Sequence, residues 1–268
     1  MDIHNPETAV ITIYRKVNNT MVVQVLPADQ PIPADTVWID IFTPSQEEEF
    51  AVERQLNIQI PSREEVWKNQ ALNRMYQEGD VAYMTAALIT KGEAVHPQTS
   101  AVTFILAPEY LLTMRYIAPT SFQMFAQRVQ RVPHKFNTGV QLLEGLLEEV
   151  IMRVAHNSEV VVDGLDQLSH HIFGESLVGV EVKNTSQKMQ VVLKRLGTFA
   201  DLNSKINESL HSLTRMLSFF KQVNNNDSVT ERNIKTLMTD VFALTQQTAF
   251  QSDKITFQLD ATLGMINV

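Results

Sequence analysis

The sequence predicts an α/β fold in which helices flank a mixed β-sheet as an αβα sandwich, followed by a long helical hairpin and a long final helix. Three observations support this prediction. The first 133 residues contain short runs rich in β-branched residues, each bounded by turn-forming residues. All ten prolines lie in that part, although average usage would place about seven more in the remainder. The proline-free remainder carries apolar residues at helical spacing.

The chain opens with predicted strands and the start of a helix. The strands are Ala9–Tyr14, Met21–Leu26 and Thr36–Phe42. After them, Thr43 is the predicted N-cap, Pro44 suits the first helical position, and Gln46 stands where a capping-box partner belongs. Glu47–Glu49 follow in the first turn, where the helix dipole favours negative charge. A solvated helix start explains this acidic triplet better than a metal site.

The rest of the front half predicts two helices with further strands between them. Ser62–Glu65 repeats the capping-box pattern and predicts a short helix. The further strands are Asn73–Gln77, Val81–Thr90, Ser100–Leu106 and Tyr110–Tyr116. Because Glu78-Gly79-Asp80 predicts a hairpin turn, the sheet cannot be purely parallel. Thr120–Arg131 predicts an amphipathic helix.

The back half contains apolar runs with a period near 3.6, separated at Gly174–Asn184 and at Asn224–Asp227, which predicts three long helices. The third run comprises Ile234, Leu237, Met238, Val241, Leu244, Phe250, Phe257, Leu259, Leu263 and Ile266. We therefore expect an α/β domain over residues 1–133, a helical hairpin over 134–223 and a final helix over 227–268.

Composition and the absence of motifs exclude several functions. The chain has no cysteine, which excludes a disulfide scaffold, a cysteine-type zinc finger and a thiol nucleophile. A net charge of −8 argues against nucleic acid as a partner. No phosphate-binding glycine loop, metalloprotease motif or nucleophile elbow is present, so we do not expect an enzyme. Without a signal peptide or a sufficiently long apolar stretch, we expect a soluble, cytoplasmic chain.

Carboxylates on the third predicted helix are the candidate functional residues. Asp240, Asp253 and Asp260 interrupt an otherwise apolar segment. Asp253 and Asp260 are two turns apart and therefore share nearly the same face. If copies of this helix associated around an axis, these residues would form rings of the oxygen ligands that Mg²⁺ prefers. Alternatively, the carboxylates only solvate the outer face of the helix.

Three segments resemble CorA-type magnesium transporters. Val37–Ser45 is similar to the family's W-I-D-x-x-x-P entry from a strand into a helix. Leu111–Tyr116 is similar to its L-x-T-x-R strand, and Thr248–Val268 is similar to its stalk helix just before the first membrane helix. The resemblance implies a homopentamer in which five stalks form a funnel into a pore. The membrane helices and the G-M-N selectivity signature would lie beyond Val268. The chain would then be the cytoplasmic domain of an inner-membrane transporter.

The resemblance also implies regulation by a divalent cation. In the family, Mg²⁺ held by carboxylates between neighbouring protomers favours the closed state. The stalk candidates here are Asp240 and Asp253, with Asp260 nearby, and Glu93 is the acidic candidate in the α/β domain, where Lys91 would oppose it. The cation would be Mg²⁺, with Co²⁺ or Zn²⁺ as alternatives.

Two other functions remain open. A zinc or other transition-metal transporter of the same superfamily would share this scaffold, although oxygen ligands alone favour Mg²⁺. A free-standing helical scaffold that binds protein partners is the alternative from a different class. A stop codon directly after Val268 in the parent gene would exclude the transporter interpretation.

Overall fold

The structure is a computed structural model that describes residues 11–61, 75–90, 97–174, 185–224 and 228–266. Seven strands form one sheet in the order β2-β1-β3-β7-β6-β5-β4. They are β1 (Ile11–Val17), β2 (Thr20–Val25), β3 (Thr36–Phe42), β4 (Tyr76–Glu78), β5 (Val81–Thr90), β6 (Gln98–Leu106) and β7 (Leu111–Arg115). Only the β3–β7 pair is parallel among these strands, which confirms the mixed sheet.

Long helices follow the sheet, as the proline-free half predicts. The α-helices of the described residues are α1 (Gln46–Leu56), α2 (Thr120–Arg131), α3 (Gly139–Ser169), α4 (Thr185–Val223) and α5 (Ser228–Ile266), and a 3-10 helix spans Pro133–Lys135. A π-helical turn extends α3 through His170–Gly174. At 39 residues each, α4 and α5 are about 58 Å long. Within the described ranges, no helix is both long enough and apolar enough for a membrane crossing. The short helix predicted after Ser62 lies outside the described residues.

Helix α1 begins two residues later than predicted. The N-cap is Ser45, whose Oγ accepts a hydrogen bond from the Glu48 amide at 3.3 Å. In return, Glu48 Oε2 accepts from the Ser45 amide at 2.8 Å, which completes a capping box. Thr43 instead has a φ of 51°, in the left-handed region, so its predicted cap role was wrong. The Ser45 box is favoured over the Thr43 box because its partner, Glu48, is a carboxylate at the positive end of the helix dipole, whereas Gln46 is neutral.

Both faces of the sheet are buried, which makes the αβα sandwich. One face packs on α1 through Ile13, Ile39, Ile41 and Val52. The other face carries Trp38 and Phe104 and forms one continuous core with the long helices. That core extends from the sheet through α2, α3 and α4 to Ile234 and Val241 of α5. The proposed division into three units therefore stays a prediction, because the core crosses its boundaries.

Two serines dock α4 on the edge of β5. Among the described residues, β4 covers only residues 81–83 on that side of β5. Further along, the Ala87 amide donates to Ser212 Oγ at 2.9 Å, and Ser209 Oγ donates to the Ala87 carbonyl at 2.7 Å. All three residues are buried. The helix thus satisfies backbone groups that an edge strand would otherwise leave for another strand.

A buried polar network joins the two strands of the parallel pair. Arg115 lies against the Asp40 carboxylate, with Nη2 at 2.9 Å from Oδ2 and Nε at 3.2 Å from both oxygens. Thr113 Oγ1 donates to Asp40 Oδ1 at 2.7 Å and accepts from Trp38 Nε1 at 3.0 Å. Trp38 stacks on Tyr14 at 4.1 Å, and burial raises the pKa of Tyr14. The W-I-D and L-x-T-x-R motifs are therefore two halves of one structural network.

Replacing Asp40 by Asn should destabilise the chain severely. Asp40→Asn leaves the Arg115 guanidinium buried without its counter-ion, and breaking a buried pair in this way costs about 3–5 kcal/mol. The matched control is Asp35→Asn, which removes a solvent-exposed ion pair with Arg15. Urea denaturation should give a large loss for the first variant and little change for the second. Equal effects in both variants would contradict the assignment of a buried network.

Two helical glycines should respond to alanine in opposite directions. A Cβ at Gly164 on α3 would lie 2.0 Å from Cζ of Phe199 on α4. Overpacking of this kind costs about 1–3 kcal/mol, more than the about 0.5–1 kcal/mol that alanine gains over glycine in a helix. At Gly197 a Cβ would meet no described atom within 4 Å. Thermal melting should rank Gly197→Ala above wild type and Gly164→Ala below it. If both variants melted above wild type, the hairpin would not be closely packed at Gly164.

Candidate functional site

The predicted acidic residues of the final helix all lie on α5 and all face solvent. Asp240, Asp253 and Asp260 are exposed in the single chain. Glu93, the predicted partner from the α/β domain, lies outside the described residues. The structure therefore gives positions for the three aspartates on α5 but not for Glu93.

One chain does not bring these carboxylates together. Asp253 and Asp260 are separated by about 10.5 Å along the helix axis and by about 20° around it. Asp240 is about 20 Å further back than Asp253 and about 140° away around the helix. A single Mg²⁺ holds its ligands at about 2.1 Å, so no two of these residues can share an ion within one chain. Over the described part of the chain, no cluster of three or more His, Asp or Glu side chains could hold a metal.

The donor type nevertheless suits a hard divalent cation. Carboxylate oxygens are the ligands that Mg²⁺ prefers, and exposed carboxylates can bind it with several of its waters retained. The adjacent cation, Lys254, forms an ion pair with Asp166 of α3 and so is directed away from Asp253. A complete ligand shell would have to take its remaining ligands from water or from a second copy of the chain.

Beside the carboxylates, α5 exposes an aromatic stripe, which we define as Phe242, Phe250 and Phe257. These side chains are 65 %, 70 % and 63 % exposed. At 100° per residue, the three rings fall within about 80° of arc, and Asp253 and Asp260 fall within the same arc. Large apolar side chains gathered on one exposed face mark an interaction surface. Asp253 and Asp260 therefore share one exposed face of α5 with the three rings.

The opposite face of α5 packs on the hairpin and is partly polar. Its buried residues are Thr230, Ile234, Leu237, Val241, Thr248, Gln251, Ile255, Gln258 and Thr262. The apolar run predicted from the sequence therefore combined two faces, because it moved from Val241 on the buried face to Phe250 and Phe257 on the exposed one. Sequence reasoning missed Phe242, although its offset from Ile234, Leu237 and Val241 places it off the buried face.

The comparisons with known proteins agree with this architecture. The family model described as CorA-like Mg2+ transporter protein matches residues 33–267. The magnesium transport protein CorA of Escherichia coli strain K12 is 22 % identical over 258 residues, which are 96 % of this chain and 79 % of that protein.

Solved structures share the fold. The soluble domain of CorA from Methanocaldococcus jannaschii superposes with a TM-score of 0.72 at 16 % identity, covering 97 % of this chain and 99 % of that one. The cytoplasmic domain of ZntB from Vibrio parahaemolyticus gives a TM-score of 0.53 at 10 % identity, covering 94 % and 99 %. The family match extends from β3 through α5 and so includes the buried motif network and the helix that carries the acidic residues. The chain belongs to the CorA-like Mg²⁺ transporter family.

Proposed function

We propose that this chain is the cytoplasmic, divalent-cation-sensing domain of a CorA-type Mg²⁺ channel or transporter at the inner membrane. The observation that carries the proposal is the exposed face of α5, where Asp253 and Asp260 stand among the three rings of the aromatic stripe. In a lone chain this face leaves aromatic surface exposed to water, which is unfavourable. Copies of the same chain cover it in the assembled protein.

Association through this face would arrange the helices as a homopentamer. Aromatic side chains provide large contact areas and dominate interface energies, so the stripe supplies the attraction between copies. Helix α5 would act as the stalk, the hairpin of α3 and α4 would lie outside it, and the sheet would hang at the far end. The membrane helices of the full-length protein would follow the end of α5.

Electrostatic repulsion between copies makes the assembly depend on cations. Each chain carries a net charge of −8, and the carboxylates of neighbouring copies would face one another across the interface. Like charges brought close together in partly desolvated surroundings repel strongly. Mg²⁺ bound between Asp253, Asp240 or Asp260 of one copy and an acidic residue such as Glu93 of the next would remove that repulsion. Low Mg²⁺ would restore it and loosen the stalks, which opens the pore.

The choice of ion follows from the donors. Carboxylates without cysteine form a hard oxygen site that suits Mg²⁺ better than Zn²⁺, and Co²⁺ can replace Mg²⁺ in such a site. A zinc-transporting relative remains the alternative within the superfamily, and the fold shared with the ZntB domain supports keeping it in the comparison. Calorimetric titration with Mg²⁺, Co²⁺ and Zn²⁺ distinguishes the two.

Saturating Mg²⁺ should raise the Tm of the protein and promote its assembly into oligomers. A ligand at a hundredfold excess over its Kd stabilises the state it binds by about 2.7 kcal/mol, which corresponds to a rise in Tm of about 5–10 °C for a chain of this size. Sedimentation velocity should show oligomers with Mg²⁺ and smaller species with EDTA.

Variants separate specific binding from general charge screening. Asp253→Asn should lose most of the Mg²⁺ response, whereas Asp201→Asn, which removes an exposed aspartate of α4, should keep it. If Mg²⁺ changed neither the Tm nor the sedimentation of the wild-type chain, the sensing proposal would fail. An equal response in the two variants would assign the effect to screening.

Removing aromatic rings from the stripe should weaken association without unfolding the chain. Phe242→Ser/Phe250→Ser deletes two exposed anchors, and loss of such anchors weakens an interface about tenfold or more. Phe50→Ser, at another exposed phenylalanine on α1, is the control. Sedimentation equilibrium should show weaker self-association only for the double variant, while both proteins keep the circular dichroism of the wild type. Unchanged association of the double variant would show that copies meet elsewhere.

A further inference from the structure

The buried face of α5 changes character along its length. From Thr230 to Val241 its buried residues are mostly apolar, with Ile234 and Leu237 in the core. From residue 248 to 262 the buried residues are Thr248, Gln251, Ile255, Gln258 and Thr262, so four of the five are polar. The first half is therefore anchored by apolar burial, whereas the second half meets the hairpin through a polar contact surface. We call this second surface the polar seam.

Three amide side chains hold the polar seam in the same way. Gln251 Nε2 donates to the Ser158 carbonyl at 3.0 Å and to Ser158 Oγ at 2.9 Å. Gln258 Nε2 donates to the Leu165 carbonyl at 2.8 Å and to Ser169 Oγ at 2.9 Å. From α4, Asn203 Nδ2 donates to the Thr248 carbonyl at 3.0 Å and to Ser252 Oγ at 2.9 Å.

The orientation of each amide follows from its partners. A backbone carbonyl only accepts hydrogen bonds, so the NH₂ group must face it, and a flipped amide would place two acceptors against each other. Each NH₂ group thereby uses both hydrogens on one carbonyl and one serine hydroxyl. The amide oxygen is consequently turned away from those partners.

The amide oxygens of these three side chains, and that of Asn157 on α3, are buried, and no donor among the described residues reaches them. Within the described residues, Gln251 Oε1, Gln258 Oε1, Asn203 Oδ1 and Asn157 Oδ1 have no donor. The four side chains are at least 97 % buried. An acceptor buried in this way carries its full desolvation penalty unless something donates to it. Asn157 adjoins Ser158, the partner of Gln251, so two of the oxygens belong to one layer of the helix bundle.

We propose that the polar seam is a site for internal water molecules, which donate to these four amide oxygens and bridge α5 to the hairpin. Buried water characteristically makes about three hydrogen bonds to polar groups that lack partners. The seam offers amide oxygens, serine hydroxyls and backbone carbonyls in two layers, at Gln251 and, two helical turns further along, at Gln258. The ligand is neutral because the seam's own groups are neutral amides and hydroxyls. Among the described residues of α5 beyond Val241, Ile255 is the one apolar side chain buried in the core, so parting this half from the hairpin exposes less apolar surface than parting the first half.

Solution NMR of the amide protons tests directly for water at the seam. In the deuterated chain with labelled side-chain amides, the NH₂ groups of Gln251, Gln258 and Asn203 should show cross-peaks to long-lived water by NMR. Gln246, exposed on the same helix, is the internal control and should show contact only with rapidly exchanging solvent. Absence of long-lived water at all three buried amides would overturn the proposal. So would a crystal structure in which protein donors, or a metal ion, contact the four oxygens.

Hydrogen exchange tests the consequence for α5. Backbone amides of residues 248–262 should exchange at least tenfold faster than those of residues 230–241. Gln251→Leu/Gln258→Leu replaces the hydrated seam by apolar contact and should slow exchange in 248–262 tenfold, with Gln246→Leu as the control. The serine hydroxyls released by this variant can bond to carbonyls of their own helix, so no buried donor is stranded. Unchanged exchange in the leucine variant would mean that simple fraying causes the fast exchange, and would contradict a separable seam.

Discussion

The docking of α4 on the open edge of β5 positions the helical hairpin, and through it α5, relative to the sheet. Two buried serines, Ser209 and Ser212, occupy the backbone groups of Ala87, so the hairpin is fixed to the sheet rather than hinged on a loop. Helix α3 packs closely against α4 at Gly164. Together they form the groove in which α5 lies, and this groove decides which face of α5 is buried and which remains exposed.

The two faces of α5 have different partners. The buried face holds the helix to its own chain, by apolar packing near Ile234 and by amide hydrogen bonds near Gln258. The exposed face combines the aromatic stripe with Asp253 and Asp260. In the proposed assembly, attraction between aromatic surfaces and repulsion between carboxylates oppose each other, so a modest change in bound Mg²⁺ can decide the balance. A polar seam behind the second half of the helix would let that half respond with less disturbance of the core than the first half, which buries Ile234, Leu237 and Val241.

The sequence predicted most of the elements, because strand and helix periods are local properties. Turn residues and caps predicted the exact bounds of two strands and a helix, namely Thr36–Phe42, Val81–Thr90 and Thr120–Arg131. The parallel pairing of β3 with β7 and the serine contacts at Ala87 depend on residues far apart in the chain, which local patterns do not encode. The apolar run predicted for α5 combined residues of its buried and exposed faces, because the sequence pattern did not indicate that Gln251 and Gln258 are buried. The acidic residues were found from the pattern, but their surroundings needed the three-dimensional fold.

In the proposed assembly, copies of the chain meet at the exposed face of α5 in response to Mg²⁺. Because the chain has no cysteine, Ala249→Cys places a single thiol on that face, and Gln127→Cys places one on the exposed side of α2. Mild oxidation should convert the Ala249→Cys protein to disulfide-linked dimers with Mg²⁺ and much less with EDTA, while Gln127→Cys stays monomeric. Failure of the thiol at 249 to cross-link in Mg²⁺, or equal cross-linking at 127, would contradict the claim.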